Sequence, residues 1–166
     1  MNLFQLFKAS LHSPKKIAAF RLVPIGKTMQ YVFTYVLIIT IISFVQFING
    51  LSIQQANMED IIEYFKDIKW LIYPSAFVLL FVLNTLFIFI RISIFAYIGV
   101  ILLSILKHKG EYRHMWRSAL FASTLPMLIS IVFSIIHWTN GYIELAIYMI
   151  TLVYLFLTCK YYPIKR

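Results

Sequence analysis

Apolar residues fill four long stretches of this 166-residue chain, and short polar segments separate them. The longest stretch, residues 70–106, contains Arg91 as its only ionised residue. As a helix it would run about 55 Å, whereas the hydrocarbon core of a bilayer is about 30 Å thick. The stretch therefore predicts either one span with a helical continuation or a hairpin of two short spans that turns at Arg91.

The complete pattern predicts an all-α, polytopic membrane helical bundle. We expect four transmembrane spans, with five as the alternative, together with amphipathic interfacial helices. The predicted segments of this single membrane domain are a cytoplasmic amphipathic collar (1–27), span 1 (28–48), a short extracytoplasmic segment (49–69), span 2 plus a half-helix or hairpin (70–106), a basic cytoplasmic loop (107–117), span 3 (118–137), span 4 (143–159) and a basic cytoplasmic tail (160–166).

Prolines and polar residues predict several helix boundaries. Ser13 followed by Pro14 suits the start of a helix, and Pro24 discourages helix at the residue before it. Gly50, with its polar neighbours, is expected to end span 1. Pro126 frees a backbone carbonyl one turn earlier and so predicts a kink in span 3.

Two amphipathic helices are expected outside the spans. Residues 57–68, with Asn57 as the N-cap, predict one on the outer leaflet. The other lies in the collar, where four residues share an apolar face: Leu3, Phe4, Phe7 and Leu11.

The net charge of +9 is distributed in short basic groups beside the apolar stretches. These groups lie in residues 1–27, 107–117 and 160–166, whereas residues 49–69 hold four of the six acidic residues. Because lysine and arginine are enriched in cytoplasmic segments, both termini and the 107–117 loop are predicted to be cytoplasmic. Basic residues spread in this way favour anionic lipid headgroups, and nucleic acid is not predicted as a partner.

Arg91 is the sharpest candidate for a functional residue. An arginine in an apolar run can bind a lipid phosphate or an anionic substrate, or it can pair with an acid such as Glu144. The charge-based topology places Arg91 near the inner end of its span and Glu144 near the outer end, so this pair is not expected. The favoured interpretation is an arginine that snorkels to the interface.

The remaining polar positions of the bundle are Asn84, Pro126 and Glu144. Asn84 is expected to hydrogen-bond between helices, and Glu144 to begin the last helix, where an acid suits the helix dipole. Cys159 is the single cysteine, and His108 and His114 do not have the spacing of a helical metal pair. No nucleophile, metal or nucleotide motif is visible, so we expect a non-catalytic protein without a cofactor.

Two functions are open at this point. The first is an accessory or partner protein of another membrane protein in the bacterial cytoplasmic membrane. The expected protein partner is another membrane protein or a second copy of the chain. The excess of isoleucine, phenylalanine, tyrosine and lysine over alanine and glycine suggests this bacterial origin. The alternative is a small transporter or lipid-handling protein that uses Arg91 and the polar positions of the bundle. The candidate lipid or partner contacts are Arg21, Lys27, Arg91, Arg113 and Arg117.

Three motifs also resemble a known family. They are FKASLHSPKKIAAFRLVPIGKTMQYVF from Phe7, FAYIG from Phe95 and EYRHMWRSALFASTLP from Glu111. This pattern resembles the small bacterial membrane proteins labelled MalA-like, or maltodextrin utilisation protein, within the Yip-domain superfamily. The resemblance implies a family without a known biochemical function, and it favours five spans. The segment 49–69 is shorter than its counterpart in that family.

Overall fold

The computed structural model describes residues 3–55, 59–136, 138 and 140–164. In these ranges the chain forms α helices and one 3₁₀ turn, Phe20–Leu22, without any β-strand. Asn57, the end of span 3 at residue 137 and the last two residues of the tail lie outside them. The helices are α1 (Leu3–His12), α2 (Pro14–Ala19), α3 (Ile25–Gln55), α4 (Glu59–Ile105), α5 (Tyr112–Ala122), α6 (Thr124–Ile135) and α7 (Gly141–Cys159).

Four helical segments are long and apolar enough to cross a membrane: Ile25–Gly50, Trp70–Ile105, Tyr112–Ile135 and Gly141–Cys159. Large apolar side chains stay exposed along them. Apolar surface of this extent, on helices of this length and composition, fits a lipid environment. The all-α, polytopic fold with four spans is therefore confirmed.

Helix α4 shows that the hairpin alternative is wrong. It runs without interruption through Arg91 and continues to Ile105. Arg91 consequently does not lie at a helix end. Extending an existing helix adds one hydrogen bond per residue, and nothing in the sequence next to Arg91 interrupts that extension.

Three boundaries differ from the prediction. Helix α3 continues past Gly50 to Gln55, because one glycine costs only about 1 kcal/mol inside a helix and does not end it. Residues 59–68 are helical but belong to α4 and do not form a separate helix. The predicted loop 107–117 is a loop only up to Glu111, since Tyr112 begins α5.

Helix α1 of the collar contacts the rest of the protein with a face that the sequence analysis did not single out. Leu6 and Ser10 of α1 are buried, whereas Phe4 is 74% exposed. Helix α1 contacts α2, α5 and α6. The face around Leu6 therefore packs on protein, whereas the side chain of Phe4 does not. The predicted helix start at Pro14 and the break before Pro24 are confirmed.

The chain divides into two compact units, residues 33–88 and the remainder. In the 33–88 unit, Asn84 Nδ2 donates to Thr40 Oγ1 at 3.3 Å, which is an interhelical hydrogen bond of the expected kind. Phe44 packs edge-on to Phe77 with ring centroids 5.4 Å apart. Small polar and aromatic contacts of this kind hold helix pairs together in lipid.

The other unit has an aromatic core and one very close helix contact. The ring of Phe121 lies 4.9 Å from Phe20 and 5.0 Å from Tyr31, between centroids. Gly99 of α4 has the side chain of Met115 where a Cβ would stand, so the glycine allows α4 and α5 to approach closely.

Between α5 and α6 the helix is interrupted at Ser123, three residues before Pro126, as the predicted kink requires.

Candidate functional site

Tyr162, just beyond α7, connects the three basic segments. Its ring is 3% exposed, and its hydroxyl lies 2.6 Å from Ser118 Oγ of α5. The same hydroxyl lies 3.3 Å from the carbonyl oxygen of His114, and Ser118 Oγ lies 3.4 Å from the carbonyl oxygen of Ile17, so the two hydroxyl hydrogens are shared among three contacts. One small hydrogen-bond cluster therefore links the collar, the start of α5 and the tail.

Burial disfavours the phenolate form of Tyr162. It raises the pKa of Tyr162 to about 12, although the hydrogen bond with Ser118 and the charge of Arg21 act in the opposite direction. A neutral Tyr162 can donate a hydrogen bond throughout the physiological pH range.

The tail also pairs with the loop that follows α4. The N–H of Lys109 donates to the carbonyl of Pro163 at 2.7 Å, and His108 lies opposite Ile164 in an isolated antiparallel bridge. Residues 160–164 therefore fold back onto the protein.

The collar is held in the same place by two arginines. Nη1 of Arg117 donates to the carbonyl of Arg21 at 2.9 Å. The guanidinium carbon of Arg21 lies 5.1 Å from the ring centre of Tyr162. This distance is within the range of a cation–π contact.

A groove of about 830 Å³ opens where these segments meet, and we call it the basic groove. Of its lining residues, Glu111 alone is acidic, and its Oε2 lies 2.6 Å from Nε of Arg113 in an exposed ion pair. The groove has the volume of an ordinary ligand site and the charge that suits an anion. Its basic and imidazole side chains are Arg21, Lys107, His108, Lys109 and His114.

Lys107 has an unusual backbone conformation. Its φ is 57°, a positive value that no other non-glycine residue adopts in the described part of the chain. Its N–H donates to the carbonyl of Ser104 at 3.2 Å, and the N–H of His108 donates to the carbonyl of Leu103 at 2.9 Å. These two bonds form a Schellman motif, whose left-handed position is usually glycine. A lysine at this position costs about 1 kcal/mol or more, and its side chain lines the basic groove.

Arg91 lies away from this groove, inside the apolar part of α4. Its guanidinium carbon is 4.8 Å from the ring centre of Tyr148 of α7, and Glu144 also acts on its charge. Their charged groups are not within 4 Å, so this ion pair is absent as expected, but the predicted placement of the two residues at opposite ends of their spans is wrong. The reason is that Arg91 lies well inside α4, beside the first two turns of α7, and not at the inner end of a span. Its Nε and Nη2 are buried without a hydrogen-bond partner.

The other predicted site residues lie in several places. Lys27 is in the first turn of α3, Arg113 is exposed beside Glu111, and Pro126 is buried in the first turn of α6. Glu144 is in the first turn of α7. The described residues contain no cluster of potential metal ligands.

Sequence reasoning missed Tyr162 and Ser118, which assemble the basic groove. Neither residue belongs to a motif, and the two are 44 positions apart. It also singled out Arg113 and Arg117, whereas the lysines of the loop line the groove. The only available signal was the density of basic residues in all three segments.

The architecture defines an all-α, multi-pass membrane protein. Residues 47–159 match a protein family of unknown function, DUF1189, and this chain belongs to that family. The match includes Arg91 and the loop that lines the basic groove, but not Arg21 or Tyr162. Comparisons with curated proteins and with solved structures each found no match.

We expect Lys107→Gly to stabilise the fold while weakening anion binding. Glycine adopts positive φ without steric cost, so the melting temperature in detergent should rise by a few degrees, corresponding to roughly 0.5–1 kcal/mol. Affinity for phosphatidylglycerol should fall about fivefold, since a basic residue contributes about 1 kcal/mol to anionic lipid binding. Lys109→Gly is the control, because it removes the same charge without relieving a positive φ. An unchanged or lower melting temperature for Lys107→Gly contradicts the strain assigned to Lys107.

Proposed function

We propose that this protein is a non-catalytic, multi-pass protein of the bacterial cytoplasmic membrane that serves as an accessory or partner subunit of another membrane protein. Its basic groove binds anionic lipid headgroups at the cytoplasmic face. The relationship to MalA-like and Yip-domain proteins, suggested by the collar and loop motifs, is part of the same proposal.

The observation that carries the proposal is the meeting of three basic segments, far apart in sequence, in one groove. Contacting segments lie on one side of a membrane, so the collar, loop and tail share one face. The enrichment of lysine and arginine in cytoplasmic segments favours the inner face for all three. Anionic headgroups are abundant there and attract juxtamembrane basic residues.

The lysines of the loop are the residues to change in a test. Arg117 holds the collar through the carbonyl of Arg21, so its replacement disturbs the fold as well as the charge. Lys107 and Lys109 are exposed and line the groove. Lys15 and Lys160 are also exposed but do not line it, which makes them a matched control pair.

Replacing both loop lysines by glutamine should weaken phosphatidylglycerol binding at one site by about 30-fold, at about 1 kcal/mol for each basic residue. Native mass spectrometry of the detergent-purified protein counts the bound lipid, with phosphatidylcholine as the neutral comparison. The Lys15→Gln/Lys160→Gln variant should bind as the wild type does. Equal binding by both variants contradicts the role of the groove.

Affinity purification from native membranes in mild detergent tests the accessory role in the same variants. A protein that co-purifies in stoichiometric amount with the wild type and the control pair, and is reduced in the loop variant, supports a partner held at this face. A homo-oligomer that carries only lipid supports a second candidate function, described next.

That second candidate is a small transporter or lipid-handling protein. The observation in its favour is the buried Nε and Nη2 edge of Arg91, because side-on recognition of a phosphate or carboxylate uses two such neighbouring donors. An arginine inside a membrane without a hydrogen-bond acceptor is also costly, and ionisable residues at such positions usually serve a function. Asn84 hydrogen-bonds Thr40 in the other unit, which assigns it to helix packing.

Arg91→Leu separates the two candidates. A lipid-handling protein should lose transbilayer movement of NBD-phosphatidylglycerol in proteoliposomes, measured by dithionite quenching, while it remains folded. Arg91→Lys keeps the charge over Tyr148 but loses the two-donor edge, so it should retain only a small part of the movement. Wild-type movement in both variants, or none in the wild type itself, contradicts the second candidate.

A further inference from the structure

A second groove lies on the collar itself, and its chemistry differs from that of the basic groove. It has a volume of about 870 Å³ and is formed by α1, α2 and the start of α3. Leu6 and Phe20, both almost completely buried, line it together with further apolar side chains. Lys8, Lys16 and Lys27 also line it, and no acidic residue does. We call it the collar groove.

The collar groove combines two properties that a soluble anion does not need together. Its lysines supply positive charge, whereas its apolar lining offers contact to a hydrocarbon chain. A free phosphate gains nothing from apolar surface, and a neutral hydrocarbon gains nothing from the lysines. A molecule with both an anionic head and an apolar chain matches the whole groove.

The position of the groove supports the same conclusion. Val23, Pro24 and Lys27 line it, and they stand where α3 begins its apolar span at Ile25. Leu22, also in the lining, is 72% exposed, and Ile25 is exposed as well. Exposed apolar side chains beside lysines are typical of segments at the level of lipid headgroups.

We propose that the collar groove binds one anionic phospholipid, with an acyl chain along the accessible apolar lining at Leu22 and Val23 and the phosphate at Lys8 and Lys16. This inference rests on the membrane location of the proposed function and deepens it by giving one lipid a defined site. It requires neither the partner role nor the basic groove. The volume lies within the range of about 300–1,000 Å³ that ligand sites occupy.

Native mass spectrometry of the full chain in detergent, titrated with dioleoyl-phosphatidylglycerol, tests this site with two variants. Lys8→Gln/Lys16→Gln removes charge from the groove, and binding at one lipid site should weaken by about 30-fold. Ala19→Phe fills the groove at an exposed lining position while leaving every charge in place. It should remove the same lipid. Lys15→Gln/Lys160→Gln again serves as the matched control, and circular dichroism checks that each variant is helical.

The arms of the experiment distinguish the alternatives. Displacement of the lipid by glycerol 3-phosphate at equal concentration would show that the site recognises phosphate alone, and it would overturn the proposal. A dimer that both groove variants abolish would assign the groove to a second copy of the chain and would also overturn it. Retention of wild-type binding by both groove variants, with loss only in the Lys107→Gln/Lys109→Gln variant, would remove the collar site and leave the proposed function intact.

Discussion

The hydrogen-bond cluster of Tyr162, Ser118 and the carbonyls of Ile17 and His114 is the interaction on which the site depends. It joins three basic segments that repel one another. A neutral, buried phenol suits this role because it adds no charge and supplies both a donor and an acceptor. The bond from Lys109 to Pro163 and the ring contact of Arg21 then close the groove around it.

Lipid imposes the second constraint. The four spanning helices leave apolar side chains exposed, so their contacts depend on close approach and small polar groups instead of on burial from water. Gly99 beneath Met115 and Asn84 beside Thr40 illustrate both means. Most basic residues consequently lie in the collar, loop and tail, where water and headgroups can solvate them. Arg91 lies well inside a span, and its cation–π contact with Tyr148 replaces only part of the lost hydration.

Much of the fold could be predicted from the sequence, because span length and hydropathy are local properties. The four spans, the start of α2 at Pro14 and the interruption before Pro126 all follow from such signals. Helix ends were predicted less well, since Gly50 weakens a helix without ending it. The face of α1 and the roles of Tyr162 and Ser118 depend on contacts between distant segments. No periodicity encodes such contacts, and a sequence of like-charged groups suggests that they stay apart.

Disulfide formation between introduced cysteines tests most directly whether the loop and the tail meet. His108 and Ile164 lie opposite each other in an antiparallel bridge, at a spacing of about 4.5–5.5 Å between Cα atoms that a disulfide can span. With Cys159 replaced by alanine, the pair His108→Cys and Ile164→Cys should cross-link rapidly in intact membranes under mild oxidation. The pair His108→Cys and Tyr142→Cys should not cross-link. His108 lies beside the residues that follow the C-terminal end of α7, whereas Tyr142 is in its first turn. Failure of the first pair to cross-link, or equal cross-linking of both, would contradict the assembly of the basic groove.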